Sequence, residues 1–392
     1  MIKKIFVVAP GVIYNGHTGD SVHLTKLWSS ISNLNDVNIH LFSPAVNIKD
    51  EAIKFHNSFY KRTNSTLFNI FALLFSIISI YLKLVFILVL SDNPEIIYSR
   101  HQVINPAFLM PKNKRIKYIL EVNGFFATEI KSQGIRTLNL FSNFIKKIEL
   151  HTFKKADKII VVAPVMKDTL VSKYGINNVK IKVITNGVDI NIFHPKLENP
   201  NNLGLLKDKK YICFVGNLIP WQGLETIIKS AKKIKMDLPD YHYLIVGCGI
   251  LKKKLIIMAK KYGVSDNIIF VGKVPHEKVV DYINVSEFCL APFARERNET
   301  VGFSAIKIFE YLACGKPVIA SNIRGNNLEI ITDNDFGYLI DPDDPQMLTN
   351  KIIEIANDQN IINNTKNKGY NFIKQNYSWN NIALNIYNEI IQ

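Results

Sequence analysis

Cysteine is scarce in this chain: its 392 residues contain four, Cys213, Cys248, Cys289 and Cys314. No two form a C-x-x-C pair and none has histidine at zinc-ligand spacing, which argues against a disulfide framework and a zinc module. All four lie in or beside apolar runs of the C-terminal half and read as reduced core thiols. Acidic residues are scarce only in the first half: residues 1–195 carry 24 Lys/Arg against 12 Asp/Glu, whereas 196–392 carry 24 against 21. The formal charge of +15 therefore sits almost wholly in the N-terminal half. It suits nucleic acid, an anionic membrane face or a phosphorylated substrate. No recognition helix or aromatic-plus-basic module accompanies it, which argues against nucleic acid. A long N-terminal apolar run is also missing. Ile5–Ala9 falls short of the ~7–15 residues of a signal-peptide core, so a first core strand and a cytoplasmic location are expected. There is no G-x-G-x-x-G after that strand, which argues against a dinucleotide oxidoreductase, and no G-x-x-x-x-G-K-[ST] phosphate loop. No tandem repeat or low-complexity tract is evident.

What is present is an ordinary globular composition, 47% hydrophobic and 21% charged, at a length that favours two domains of roughly 150–200 residues. Short β-rich runs alternate with longer helical stretches, the pattern of a parallel sheet covered on both faces. Strands are expected at Lys4–Ala9, Asn38–Ser43, Ile96–Tyr98, Lys117–Glu121, Lys158–Val162 and Lys182–Ile184. In the second half they are expected at Tyr211–Val215, Tyr243–Val246, Ile268–Val271, Phe288–Ala291 and Pro317–Ala320. Helices follow, for instance over Gln222–Met236 and Lys252–Tyr262. The Pro/Asn/Gly/Lys mixture of His194–Lys210 reads as a linker. The expected fold class is α/β: two doubly wound, Rossmann-like domains over 1–195 and 196–376, with a helical segment over 377–392. One stretch departs from the pattern. Leu67–Leu90 is nearly all apolar and, at ~20 residues or more, long enough to cross a bilayer. Lys83 near its centre and the need to keep the first strands with their sheet favour a buried or membrane-surface helix over a span.

Three glycine turns follow expected strands: Gly11–Gly19, Gly216 in FVGN, and Gly247-Cys248-Gly249. Such turns bring backbone N–H groups near a phosphate, although tight strand-to-helix turns need glycine in any case. The densest signal is the run from Gly302 through Phe303, Ser304, Ala305, Lys307 and Glu310 to Pro317-Val-Ile-Ala320. It resembles the nucleotide-binding motif of the retaining glycosyltransferases of family 4. The resemblance continues in VITNGVD (Val183–Asp189, then Phe193 and Pro195), FVGNLIPWQGLETI (Phe214–Ile227), VGCG (Val246–Gly249), FVGKVPHEKV (Phe270–Val279) and APF (Ala291–Phe293). In the first half it appears in TGDSVHL (Thr18–Leu24), YSRH (Tyr98–His101) and LEVNG (Leu120–Gly124).

The resemblance implies a GT-B fold, two Rossmann-like domains facing each other across a cleft, with the terminal segment 377–392 crossing back to the first domain and Asn186–Asp189 in the hinge region. It implies transfer of a sugar from a nucleotide diphosphate donor, with UDP the first expectation and GDP the second, and with retention of anomeric configuration. The nucleotide sugar is a substrate; no metal or other cofactor is implied. The acceptor is expected to be a glycan or lipid-linked molecule of envelope polysaccharide synthesis, met by a protein peripheral on the inner face of the cytoplasmic membrane. The rival expectation is a non-catalytic GT-B subunit that binds nucleotide or scaffolds another transferase.

Carried over position by position, Glu310 holds the ribose hydroxyls, and Gly302, Phe303, Ser304 and Ala305 form the turn whose N–H groups face the diphosphate or donor sugar. Gly216, Asn217, Gln222 and Gly247 belong to the donor loops, and Lys273 and Val274 lie where the nucleobase is read. His276 fits a ligand contact or a helix start equally well. In the first domain Gly19 matches the glycine loop. Arg100, His101 and Asn123 fall at strand ends, where acceptor contacts and ordinary loop hydrogen bonds are both open readings. The sequence also departs from the pattern. Asn217 and Gln222 occupy the places of an arginine and a lysine that clamp the diphosphate, Gly302 that of a first glutamate, and Asn123 that of a catalytic-type histidine. Lys307, Arg295, Arg297 and Lys273 are the candidates to supply the missing cation. Asp333-Asn-Asp335 and Asp341-Pro-Asp343 imitate a metal motif but sit in turn-rich sequence.

Overall fold

The computed structural model describes residues 3–16, 19–34, 36–45, 50–58, 66–90, 93–128, 136–303, 306–323 and 328–392. Ser304 and Ala305 of the expected donor turn, and Thr18 of the first glycine loop, lie outside the described residues. The chain divides into two compact units, Met1–Asn186 with Trp379–Gln392, and Gly187–Ser378.

The first unit runs β1 (Lys3–Val8), α1 (Gly19–Ser32), β2 (Val37–Phe42), β3 (Ile53–Phe55), α2 (Thr66–Leu90), β4 (Ile96–Arg100), α3 (Pro106–Leu109), β5 (Lys117–Val122), α4 (Arg136–Lys155), β6 (Lys158–Val161), α5 (Pro164–Tyr174) and β7 (Ile181–Val183). Its sheet is parallel throughout, in the order β3-β2-β1-β4-β5-β6-β7. Ile5 and Val7 of β1, Leu24, Leu27 and Trp28 of α1, and Tyr98 of β4 share one buried cluster. The C-terminal helix of the chain joins that cluster through Trp379, Ile382, Ala383, Ile386 and Ile390.

The second unit runs β8 (Lys210–Val215), α6 (Leu224–Asp237), β9 (Tyr241–Val246), α7 (Lys252–Lys261), β10 (Ile268–Gly272), α8 (His276–Val285), β11 (Phe288–Ala291), α9 (Arg295–Val301), α10 (Ile306–Ala313), β12 (Val318–Ser321), β13 (Gly337–Ile340), α11 (Pro345–Asn357) and α12 (Gln359–Asn376); α13 (Trp379–Ile391) then belongs to the first unit. Its parallel sheet has the order β10-β9-β8-β11-β12-β13. Along β8 the side chains alternate between two cores. Tyr211 and Cys213 enter one cluster, Ile212 and Phe214 the other, so both faces are dry and the strand reads as an uninterrupted apolar run.

Two expectations need correction or extension. Cys213, Cys289 and Cys314 are buried free thiols, but Cys248 is exposed. Its flanking glycines are there for close backbone approach: a Cβ on Gly247 would lie 1.9 Å from the Gly216 carbonyl oxygen, and one on Gly249 2.4 Å from that of Leu218. The loop therefore has its backbone against the neighbouring turn and its one side chain outward. The sheets also contain two strands absent from the sequence reading, β3 and β13, each at a sheet edge.

Candidate active site

In an open parallel sheet, ligands bind beyond the carboxyl ends of the strands where strand order reverses. In the second unit that point lies between β8 and β11, and a pocket of about 150 Å3 occupies it. Trp221 and Gln222 reach it from the turn after β8, Phe293, Arg297 and Asn298 from the segment after β11, and Phe303, Ile306 and Lys307 from around the start of α10. The turn Gly216–Gly223 is fixed by backbone bonds from Leu218 N–H to Cys248 O and from Gln222 N–H to Ile219 O. Asn298 is buried and donates to the Trp221 and Ala294 carbonyls, tying the two lips together.

Lys307 is the chemical centre of this pocket. Its ammonium donates to Gln222 Oε1 at 2.5 Å and lies 4.1 Å above the Phe214 ring and 5.4 Å from that of Phe293. A Cβ on Gly216 would sit 2.8 Å from it. The side chain keeps some exposure, yet the nitrogen is enclosed by rings and backbone; burial pushes its pKa down to about 7, against a smaller upward pull from Glu310. A desolvated cation one step from neutrality responds strongly to an arriving anion. Arg297 stacks over the Trp221 ring at 4.8 Å on the same pocket wall. Of the four expected cation candidates, the structure brings these two together. Arg295 instead points at Glu299, 2.7 Å away, and Lys273 is exposed on the turn after β10 and does not line the pocket.

One helical turn beyond Lys307, Glu310 is 5% exposed and receives His276 Nε2 at 2.7 Å from the first residue of α8. His276 is thus both a helix-start residue and a partner of Glu310, its ring 5.1 Å from that of Phe193. Val274 is half-buried on the adjoining turn and packs on the core, while Asn217 is exposed. The N–H groups of Gly216 and Gly247 are engaged by Val246 O and Gly272 O. These glycines therefore shape the floor, at φ 147° and 137°, and do not present those N–H groups to a phosphate. Gly302 adopts φ 74° and donates to Asn298 O, closing α9.

In the first unit, strand order reverses between β1 and β4. There Glu121, 1% exposed at the end of β5, gathers the expected residues around itself. His23 Nε2 lies 2.9 Å and Arg100 Nη1 3.7 Å from Oε1, Tyr98 donates to Oε2 at 2.8 Å, and Asn123 donates to Oε1. Burial works to raise the carboxyl's pKa, but His23, Arg100 and Asn123 outweigh it and hold the group well below the usual carboxylate range. Arg100 also reaches Asp20 Oδ1 at 2.9 Å, beside Gly19 at the start of α1, where nothing lies within 4 Å of an added Cβ. His101 does not join this group. It is buried between Phe126 and Phe153 with Nε2 3.1 Å from Glu149, a carboxylate that also accepts from Phe126 N–H and the Tyr174 hydroxyl. Sequence reasoning missed Glu121 and His23 here, and Trp221 and Asn298 in the second unit.

Among the described residues no group of three His, Cys, Asp or Glu side chains could hold a metal ion. Asp335 and Asp343 take positive φ values of 53° and 63°, and Asp343 accepts the Arg295 N–H, as turn residues do.

Two doubly wound domains, one with a cationic pocket at its switch point, define a transferase of the GT-B class. The family model described as Glycosyltransferase Family 4 matches residues 34–192 and that described as Glycosyl transferases group 1 matches 195–372, and the chain belongs to these glycosyltransferases. An uncharacterised glycosyltransferase of Methanocaldococcus jannaschii is 25% identical over 390 residues, 97% of this chain and 96% of that protein. Among solved structures, sucrose-phosphate synthase from Thermosynechococcus elongatus has a TM-score of 0.77 at 17% identity, covering 98% of both chains. Anabaena HepE, solved with UDP and glucose, has a TM-score of 0.72 at 16% identity, covering all of both chains.

Proposed function

We propose that this glycosyltransferase moves a sugar from a nucleotide diphosphate donor, UDP before GDP, to a glycan or lipid-linked acceptor of envelope polysaccharide synthesis, with retention of configuration. The observation that carries the donor half is Lys307. Its half-desolvated ammonium sits at the switch point of the second unit, one turn from the buried Glu310. In this reading the leaving diphosphate lies against Lys307 and Arg297, the ribose hydroxyls take the Glu310 carboxylate, and His276 holds that carboxylate in place. Lys307 thereby does the work that the side chains at Asn217 and Gln222 cannot, and Gln222 orients it. HepE binding UDP in the same fold supports the nucleotide.

Rate acceleration then comes from orienting donor and acceptor and from neutralising the charge that develops on the departing diphosphate; no protein nucleophile is required. Gly19, Arg100 and Asn123 would serve the acceptor side, with Glu121 fixing the latter two. In this reading the acceptor side is the unit Met1–Asn186 with Trp379–Gln392, and the donor side is Gly187–Ser378. The site of action is the cytoplasmic membrane face, supported by the apolar helix α2 and by the basic first half. Thermal-shift screening of UDP- and GDP-sugars, followed by donor turnover with lipid-extract acceptors, tests this reading. Stabilisation by UDP and a UDP-sugar is expected; no shift with any nucleotide diphosphate removes it.

A further inference from the structure

Helix α2 carries an apolar face that the fold leaves uncovered. Phe71, Phe75, Ile78, Leu82, Phe86 and Val89 recur at intervals of three and four, and each is between 57% and 74% exposed. That spacing puts all six on one stripe along the helix. The opposite face is firmly built into the first unit: Ala72, Ser76, Ile77, Ile80 and Leu84 are buried. The Ser76 hydroxyl donates to the Pro10 carbonyl and pairs with Ser58. Lys83, the one charge within the stretch, turns aside to the Asn57 carbonyl. A single patch of this size on a soluble surface marks an interaction site.

We infer that this stripe lies in the interface of an anionic lipid leaflet, with α2 parallel to the membrane plane. Three observations select that occupant. First, Phe71–Val89 is long and apolar enough to span a bilayer, yet spanning would strip Ser76 of its partners and pull β3 and β4, which flank α2 in sequence, out of one sheet. Second, α2 packs on α3, whose Leu109 is 58% exposed and is followed by exposed Lys114 and Arg115, beside Lys112, which pairs with Asp157. A basic rim on an apolar face is what anionic headgroups recognise. Third, a second copy of this cation-rich half carries the same excess of positive charge and so offers these side chains no complementary partner, whereas anionic headgroups do. The inference deepens the membrane-side reading above and rests on it only for which leaflet is met; the donor pocket lies in the other unit and is measured separately.

The test is flotation of the full chain with phosphatidylglycerol/phosphatidylcholine vesicles, beside pure phosphatidylcholine. The parent is expected to float with the anionic vesicles at low salt. Ile78→Ser/Leu82→Ser/Phe86→Ser should weaken partitioning at least ten-fold, and Lys114→Glu/Arg115→Glu should weaken it on anionic vesicles alone. UDP binding should be unchanged in both. Leu82→Trp, which leaves the rest of the stripe intact, should show blue-shifted emission quenched by brominated acyl chains. Three results overturn the inference: a parent that stays at the bottom with anionic vesicles at low salt, no spectral change at position 82, or a dimer in sedimentation that the triple variant converts to monomer.

Discussion

Replacing Lys307 by methionine separates the electrostatic part of the donor site from the rest, because methionine keeps an unbranched apolar stem one atom shorter and lacks only the ammonium over Phe214. One charge-assisted hydrogen bond to a phosphate oxygen is worth about 1.5–3 kcal/mol. Loss of the ammonium should therefore cost roughly ten- to a hundred-fold in UDP affinity at pH 6, at ~1.4 kcal/mol per decade. Uridine, which lacks the diphosphate, should bind both proteins alike. The pH dependence has a definite sign. With its pKa lowered to about 7, the free protein loses the Lys307 proton as pH rises through neutrality, while a bound diphosphate retains it. UDP affinity of the parent should then fall by up to about ten-fold per pH unit above 7. Lys307→Met should show none of that slope. Folding stability runs the other way: the unfolded chain holds this proton up to the ordinary lysine value of 10.5. Between about pH 7 and 10.5 the parent therefore gains stability relative to Lys307→Met as pH rises. Calorimetric titration with UDP and uridine at pH 6, 7.5 and 9, with thermal melts alongside, reads both. Equal UDP affinities for parent and variant across that range would refute the assignment of the diphosphate to Lys307.

Glu310→Ala should weaken UDP and uridine together by about ten-fold or more, since the proposed site would lose two hydrogen bonds to the ribose; His276→Ala should do the same more mildly, by freeing the carboxylate, and calorimetry ranks the two. Gly247→Ala places a Cβ 1.9 Å from the Gly216 carbonyl at φ 137°, and backbone strain of ~1–3 kcal/mol plus the clash should lower the melting temperature by several degrees. Gly19→Ala meets nothing within 4 Å, so the melting temperature should hold or rise slightly; a fall in sugar transfer without loss of stability would show that substrate passes close to this point.

Most of the fold was legible because buried parallel strands write themselves as apolar runs. The strands expected at Lys117–Glu121 and Phe288–Ala291 are found at Lys117–Val122 and Phe288–Ala291, since both faces of each are covered and the apolar pattern is plain. The two missed strands have short, mixed sequences, Ile-Lys-Phe at 53–55 and Gly-Tyr-Leu-Ile at 337–340, because an edge strand is half solvated and carries a weaker pattern. The linker composition of His194–Lys210 is real, but the contact boundary falls earlier, between Asn186 and Gly187. Within the pocket, Lys307, Arg297 and Phe303 were legible through the motif around Glu310. Trp221 and Asn298 were not, because their roles depend on turns meeting across β8 and β11, which no spacing encodes. Glu121 was within reach: a carboxylate in the otherwise apolar run Tyr118–Val122 needs polar partners, and the Arg100 guanidinium and the His23 ring supply them. His101 misled because a histidine at a strand end looks the same whether it faces a ligand or, as here, a buried glutamate.

The most direct measurement is a crystal structure of the chain with UDP bound. The expected result has the ribose hydroxyls on the Glu310 carboxylate and the diphosphate within hydrogen-bond distance of Lys307 Nζ, at the carboxyl ends of β8 and β11. UDP lodged elsewhere, or bound with its ribose turned away from Glu310, would contradict the account.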